Sequence, residues 1–436
     1  MRKRQILIAG ALALMLMGTA CGNSNTKTVA IKTGTAKAQT TSTASTNSDS
    51  SKEEKVTSDG TINADALFTE RDLDQDPDLS DATKYTLSDN KDITIKKAGT
   101  YLISGNASNV TITVEAGDDD KVQIVLDNAG ITNTDSPCIY VKTGDKVFIT
   151  SKTGTDNSLK VTGEFTADGD TNTDAVIFSK QDLTLNGGGS LNISSTANGV
   201  SSKDDLTITG GTYKVNAPKD AFEAHDSIAV KDGTFDLDCK NGLKAEYKDD
   251  TSTGFLAIEG GTFTINASND CIHATTIVQI DGGNSDLTGV ECIESTKVII
   301  NGGTINISSS DDGINASQKS TSYDVSVNIN GGDIKIKMGS GDTDGIDANG
   351  SIYVNGGTLD ITANSPFDYD DEGKLNGGTV TVNGEKVTEL ENQFANGMDR
   401  GHGGQGGKAG SAPGNGGMPG GPGKKRKNIS RIIDSL

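Results

Sequence analysis

Residues 301–316 read N-G-G-T-I-N-I-S-S-S-D-D-G-I-N-A, residues 325–336 read V-S-V-N-I-N-G-G-D-I-K-I, and residues 342–348 read D-T-D-G-I-D-A. A glycine pair opens a short alternating strand. An acidic turn and a second short strand of the form G-I-x-A follow, and a third strand leads into the next glycine pair. Most of the chain between residues 120 and 385 varies this pattern. The glycine corner recurs at Gly188-Gly189-Ser190, Gly210-Gly211-Thr212, Asp232-Gly233-Thr234, Gly260-Gly261-Thr262, Gly282-Gly283-Asn284, Gly302-Gly303-Thr304, Gly331-Gly332-Asp333, Gly356-Gly357-Thr358 and Gly377-Gly378-Thr379. Gly189, Gly211 and Gly233 stand 22 residues apart, as do Gly261 and Gly283. The longer steps carry polar insertions at Glu246–Gly254 and Ser317–Asp324. A fixed period with insertions at set places in the unit is the mark of a solenoid.

Each unit holds three runs of alternating residues, such as Leu206-Thr207-Ile208 and Tyr213-Lys214-Val215, all too short for a helix and without a 3.6-residue apolar stripe. Strands turned at Gly-Gly, Asn-Gly and Asp-Gly corners send the chain round a triangle. One turn alone cannot bury its apolar edge; stacked turns can, and each then satisfies the backbone of the next. The expected fold is all-β, a parallel β-helix of about 22 residues per coil. With coils ~4.8 Å apart, roughly a dozen coils make a rod ~60 Å long. Composition agrees: hydrophobic residues are 33%, aromatics 4%, and tryptophan is absent, as suits a thin core. An array of β-sandwiches would also show short strands between turn signals, but sandwiches do not repeat at this period.

The flanks are different. Arg2, Lys3 and Arg4 followed by the apolar run Ile6–Met17 read as a secretory signal over residues 1–20, too short to span a bilayer as a stable helix. It ends in Gly18-Thr19-Ala20-Cys21, which resembles a bacterial lipobox except that Gly18 stands where leucine is usual. The expectation is a lipidated Cys21 holding the protein on the outer face of the cell membrane of a Gram-positive bacterium; the alternative is ordinary cleavage and secretion. Residues 21–60 are Ser-, Thr- and Asn-rich and read as a flexible linker. The β-helix domain is assigned to 61–395. Its first coils, at Tyr85–Leu87, Ile93–Ile95, Tyr101–Ile103, Val110–Val114 and Val122–Leu126, are less regular. Residues 396–436 form a Gly-rich tail with the basic run Lys424-Lys425-Arg426-Lys427, by composition a disordered segment.

Sixty acidic residues against 39 basic ones leave a net charge of −21, which argues against a nucleic-acid partner. Cys138, Cys271 and Cys292 fall in one slot of the repeat, just before an inward position. Cys271 and Cys292 would stack as free thiols of an inward ladder or as one disulfide between coils; Cys239 has no obvious partner. No Cys/His spacing resembles a zinc site, and the three histidines are scattered.

Aligning the second strand of each coil places Asp220, Asn241, Asp270, Glu291, Asp312 and Asp344 at one corner. Three residues on, an outward slot holds Glu223, Lys244, His273, Glu294, Asn315, Asp347 and Asp368. Asp311, Asp342, Asp370 and Asp371 crowd the same edge. Carboxylates ~4.8 Å apart repel by about 1 kcal/mol per pair in water and several at an effective dielectric near 20. Such a column calls for a cation or for protonation. Oxygen ligands without sulfur or clustered imidazole suit Ca²⁺. The expected ligands are Asp220, Glu223, Asp270, Glu291, Glu294, Asp311, Asp312, Asn315, Asp342, Asp344, Asp347 and Asp368. The competing role for these side chains is to take the corner conformation and cap turn amides.

The motifs Val125-Leu126-Asp127-Asn128-Ala129, Ile177-Phe178-Ser179-Lys180-Gln181-Asp182-Leu183-Thr184, Ile208-Thr209-Gly210-Gly211-Thr212, Ser310-Asp311-Asp312-Gly313-Ile314-Asn315-Ala316 and Asp344-Gly345-Ile346-Asp347-Ala348, in this order along the chain, resemble the clostridial cell-surface carbohydrate-binding β-helix family, whose architecture is like that of pectate lyases. The resemblance covers residues 65–390. It implies a right-handed β-helix with bound calcium, metal binding by the acidic residues of the two D-G-I motifs, and recognition of plant cell-wall glycans, cellulose and polygalacturonate, without established catalysis. A lyase would need a base beside the calcium. No arginine lies between Arg71 and Arg400, so Lys244 is the candidate, with neutralisation of its acidic neighbours as the alternative role. No flat aromatic stripe for crystalline cellulose is evident. Soluble acidic or amorphous chains are therefore the expected ligands of a monomeric, calcium-dependent binder; a calcium-dependent lyase and a structural adhesin are the alternatives.

Overall fold

The computed structural model describes residues 54–340 and 343–392. Cys21, Asp342 and the basic run at 424–427 lie outside the described residues. The chain winds as a parallel β-helix with three strands per coil, and the strands stack into three parallel ladders. One ladder precedes the glycine corner and runs through Ser227–Val230, Phe255–Ile258, Ile277–Ile280, Lys297–Ile300 and Ser326–Ile329. The second follows the corner, with Thr262–Ala267, Asn284–Gly289, Thr304–Ser309 and Asp333–Met338 among its strands. The third carries the acidic corner through Ile272–Ala274, Ile293–Ser295, Ile314–Ala316 and Asp344–Ala348. Thr379–Val382 and Glu385–Val387 close the last coil as an antiparallel hairpin.

Alternate residues of all three ladders point inward and stack as columns of like size. Tyr213, Phe235 and Phe263 pile ring on ring at 5.3 and 4.5 Å, and Ile272, Ile293, Ile314 and Ile346 form an aliphatic column in the acidic ladder. All are buried. Each inward Ile, Leu or Phe contributes ~1.5–3 kcal/mol by leaving water. Cys138, Cys239, Cys271 and Cys292 are buried free thiols, so the inward thiol ladder is the arrangement adopted.

The glycine corner works by conformation. Gly303 has φ +91°, as do its counterparts above and below at similar values, and a Cβ there would sit 3.0 Å from Gly283 O. L-residues with a Cβ avoid this region. In the Gly187-Gly188-Gly189 corner the positive φ falls on Gly187 rather than Gly189. Beside the later corners an asparagine column adds a side-chain ladder. Asn330 Nδ2 donates to Asn301 Oδ1, Asn355 Nδ2 to Asn330 Oδ1 and Asn376 Nδ2 to Asn355 Oδ1, each at 2.8 Å.

The sequence did not announce the strap. Residues 54–76 lie along the outer face of the pre-glycine ladder, so the chain is already packed on the helix before the linker boundary expected at residue 60. A Val56–Ile62 bridge closes a hairpin whose tip meets Lys297 and Tyr323. Ile62 N–H donates to Gln279 Oε1 at 2.8 Å and Gln279 Nε2 returns a bond to Ile62 O at 3.1 Å. Ile62 and Leu67 pack on Ala229, Ala257, Ile277 and Ile299, where small outward residues leave room. Asp72 anchors the far end, fully buried, with Lys146 Nζ at 2.8 Å and Thr184 Oγ1 at 2.6 Å from Oδ1, and Thr69 Oγ1 at 2.7 Å from Oδ2.

Candidate functional site

The register of the acidic ladder is the one the repeat predicts. Asp220 stands against Asn241, and Glu223, Lys244, His273, Glu294, Asn315, Asp347 and Asp368 follow one another coil by coil. The expected ligands do not form one cluster, however, and along the ladder they divide into three environments.

At the N-terminal end, Asp220 and Glu223 line a cleft of about 430 Å³ with lysines rather than with other carboxylates alone. Glu223 Oε2 accepts from Ser201 Oγ at 2.7 Å and lies 3.5 Å from Lys203 Nζ. Asp220 Oδ1 accepts from Asn241 Nδ2 at 2.5 Å. Lys244 Nζ is 2.7 Å from Glu246 Oε2 and 4.0 Å from Asp220 Oδ2. Burial alone would lower the Lys244 pKa, but Asp220 and Glu246 outweigh it and raise it. That is the wrong direction for a general base at neutral pH. The insertion after Lys244 brings Tyr247 over His225, with ring centroids 4.6 Å apart and planes 11° from parallel. Burial and then Lys203 hold His225 below its ordinary value of 6.5, which favours the neutral ring. This two-ring platform was missed in the sequence; its only signal was the polar insertion.

In the middle, Asp270, His273 and Glu294 come together in a buried group. At the C-terminal end stand Glu291, Asp312, Asn315, Asp347 and Asp368. Here the capping role is visible directly. Asp344 N–H donates to Asp312 Oδ1 at 3.3 Å, as Asp270 N–H donates to Asn241 Oδ1 at 3.2 Å three coils earlier. Corner side chains thus cap the amide of the next coil. Yet the carboxyls are crowded beyond what capping needs. Burial first, then Asp347 and Asp311, push Asp312 up to about 7. Burial, Asp368 and Asp344 push Asp347 up to about 6. Glu291 is raised by burial and by Glu294 and Asp270.

This set fits a hard cation. Asn315 Nδ2 donates to Glu291 Oε2 at 3.1 Å, while Asn315 Oδ1 is buried with no hydrogen-bond donor. An orphaned amide oxygen between raised carboxyls is what an oxygen-coordinated ion would satisfy. Asp311 is exposed on the flank of the group.

A second carboxylate trio outside the acidic ladder, Asp182, Asp204 and Asp205, is met by the strap, whose Lys55 Nζ lies 2.5 Å from Asp205 Oδ2. Among the described residues no helix is long and apolar enough to cross a membrane.

Comparison with known proteins places the chain. A family profile described as carbohydrate-binding domain-containing protein matches residues 89–345 and, again, 289–405. A carbohydrate-binding domain-containing protein of Acetivibrio thermocellus is 34% identical over 163 residues, which are 37% of this chain and 55% of that protein; the chain thus spans about half the length of this relative. A solved structure, that of the polysaccharide lyase-like protein from C. thermocellum as a gadolinium derivative, superposes with a TM-score of 0.34 at 23% identity, over 69% of this chain and 94% of the other. Because the first profile match alone takes in more than half of the 436 residues, the chain belongs to the carbohydrate-binding domain-containing protein family.

Proposed function

We propose that the protein is a calcium-dependent, non-catalytic polysaccharide-binding lipoprotein of the cell surface, held by Cys21 and recognising acidic pectin-type or amorphous cellulose chains of plant cell walls. The observation that carries the reading is that the ring-platform cleft and the oxygen-rich edge lie on one outward ladder of a chain from a carbohydrate-binding family. A glycan laid along that ladder meets Tyr247 and the lysines of the cleft at one end. At the other it meets Glu291, Asp312, Asn315 and Asp347, where Ca²⁺ would neutralise the carboxylates and keep coordination positions open to uronate oxygens. In a protein of net charge −21, such an ion also relieves the repulsion an acidic glycan would meet. Catalysis is left out because Lys244, the one candidate base, is held charged by Asp220 and Glu246.

The test is binding of polygalacturonate and of a soluble neutral glucan in millimolar Ca²⁺, with and without chelator, to the wild type, Tyr247→Ala and the pair Asp312→Asn/Asp344→Asn. Polygalacturonate binding should need calcium and should weaken in both variants. Neutral-glucan binding should depend on Tyr247 alone. Calcium-independent polygalacturonate binding would sever the edge from the ligand. Unsaturated product that disappears in Lys244→Ala would turn the binder into a lyase.

A further inference from the structure

The middle of the acidic ladder holds an arrangement that the oxygen-only edge does not explain. Asp270 sits at the corner, His273 three residues later points outward, and Glu294 stands directly above His273 in the next coil. Asp270 Oδ2 lies 3.0 Å from His273 Nδ1, and Glu294 Oε2 lies 2.9 Å from the same nitrogen. The three donor atoms lie within 4.8 Å of one another and all three residues are buried.

We infer that Asp270, His273 and Glu294 bind a divalent transition ion of the zinc class through Oδ2, Nδ1 and Oε2, at a site that adjoins the calcium edge but differs from it in its ligand atoms. An imidazole Nδ1 carries at most one proton, and a single N–H cannot point well at two carboxylate oxygens. An ion in the middle serves both. With bonds of about 2.0–2.1 Å a tetrahedral ion sets its ligand atoms ~3.3–3.4 Å apart, so the observed contacts open by only a few tenths of an ångström to admit it. Two carboxylates with an imidazole form a borderline donor set, and the nitrogen selects against calcium.

The other ring nitrogen supplies independent support. His273 Nε2 is buried with no hydrogen-bond partner, and Glu246 Oε1 lies 3.9 Å away. With an ion on Nδ1 the ring proton must sit on Nε2. A shift of Glu246 by about 1 Å then completes the carboxylate–histidine–metal relay that orients such ligands. Lys319 Nζ occupies Glu294 Oε1, leaving Oε2 as the free oxygen for a single metal bond. Glu246 is held from its far side by Lys244.

The full chain, freed of metal with chelator and dialysed, is titrated with Zn²⁺ by calorimetry and with Co²⁺ by visible absorption, both in millimolar Ca²⁺. One ion should bind per chain, with the intense visible bands of four-coordinate Co²⁺. His273→Gln should lose both signals, Glu246→Gln should weaken Zn²⁺ by about 10–100-fold, and His225→Gln should bind as the wild type does. Histidine ring ¹⁵N shifts of the wild type give a readout that needs no variant: Zn²⁺ should move Nδ1 and leave Nε2 protonated. Zn²⁺ binding of equal strength in a folded His273→Gln, or Nδ1 and Nε2 both protonated in the presence of Zn²⁺, would overturn the site and leave His273 as an imidazolium between two carboxylates. Neither result bears on calcium-dependent glycan binding, which is read separately.

Discussion

Asp72→Ala should release the strap while leaving the coils intact. Asp72 is fully buried, and its carboxylate takes Lys146, Thr184 and Thr69 at once. Removing one partner of a buried ion pair costs about 3–5 kcal/mol because the other charge is left without compensation. Lys146 is largely buried, yet its stem can turn its ammonium toward water, which favours the lower end. A loss of ~3 kcal/mol corresponds to roughly 100-fold faster local opening. Hydrogen exchange followed by mass spectrometry should show that acceleration in peptides from residues 54–76, while peptides from the ladders at 255–300 keep their protection. Acid should reproduce the effect. Burial would raise the Asp72 pKa, but Lys146, Thr184 and Thr69 outweigh it and hold it below 3.8. A depressed folded-state pKa means stability that is present above the unfolded value and lost as pH falls through the folded one. The strap should therefore loosen below about pH 4. Unchanged exchange in the strap of Asp72→Ala would refute the latch, and loss of protection throughout the coils would show that the strap is not a separable unit.

Gly303→Val should lower the urea midpoint by an amount equivalent to at least ~1–3 kcal/mol, since valine must adopt φ +91° against the backbone of the coil below; an unchanged midpoint would reject the corner. Phe235→Ala removes the middle ring of the Tyr213–Phe235–Phe263 stack and should cost about 3–5 kcal/mol, read as early proteolytic cutting near residues 213–263. In Asp312→Asn/Asp344→Asn the calcium-dependent rise in melting temperature should shrink, and a rise equal to that of the wild type would move the ion elsewhere. Metabolic labelling with a palmitate analogue should be abolished in Cys21→Ala, and equal labelling would reject lipidation.

The coil register was legible because glycine corners and inward aliphatics repeat together, and a slip of one residue would have turned Ile272, Ile293, Ile314 and Ile346 outward. The same register by itself sets His273 above Lys244 and below Glu294. What the repeat could not supply is side-chain direction. Asp312 both caps Asp344 N–H and joins the crowded edge, and the convergence of Asp270 and Glu294 on one ring nitrogen depends on rotamers. The Tyr247–His225 stack depends on the path of an insertion outside the period. The strap was hidden for another reason: residues 54–76 have no repeat, and contacts such as Ile62 with Gln279 join positions 217 residues apart.

A solenoid transmits load from coil to neighbouring coil, because each coil touches only the next. The strap changes where a pull from the N-terminal side is felt. Tension arriving at residue 54 meets the Lys55–Asp205 ion pair, peels the hairpin from Lys297 and Tyr323 and from Gln279, and runs on through Leu67, the Asp72 latch and the contacts of Gln75 and Asp76 with Gly187 and Thr153 before it reaches the first strand at Thr83–Thr86. Contacts broken one after another yield at lower force than contacts sheared together, and the freed residues 54–82 would pay out on the order of 100 Å of extended chain. On the proposed anchoring through Cys21, the strap would act as a shock absorber: a body tugged on a bound polysaccharide would lengthen its leash before any coil unwinds, and the leash would re-seat when the tension falls.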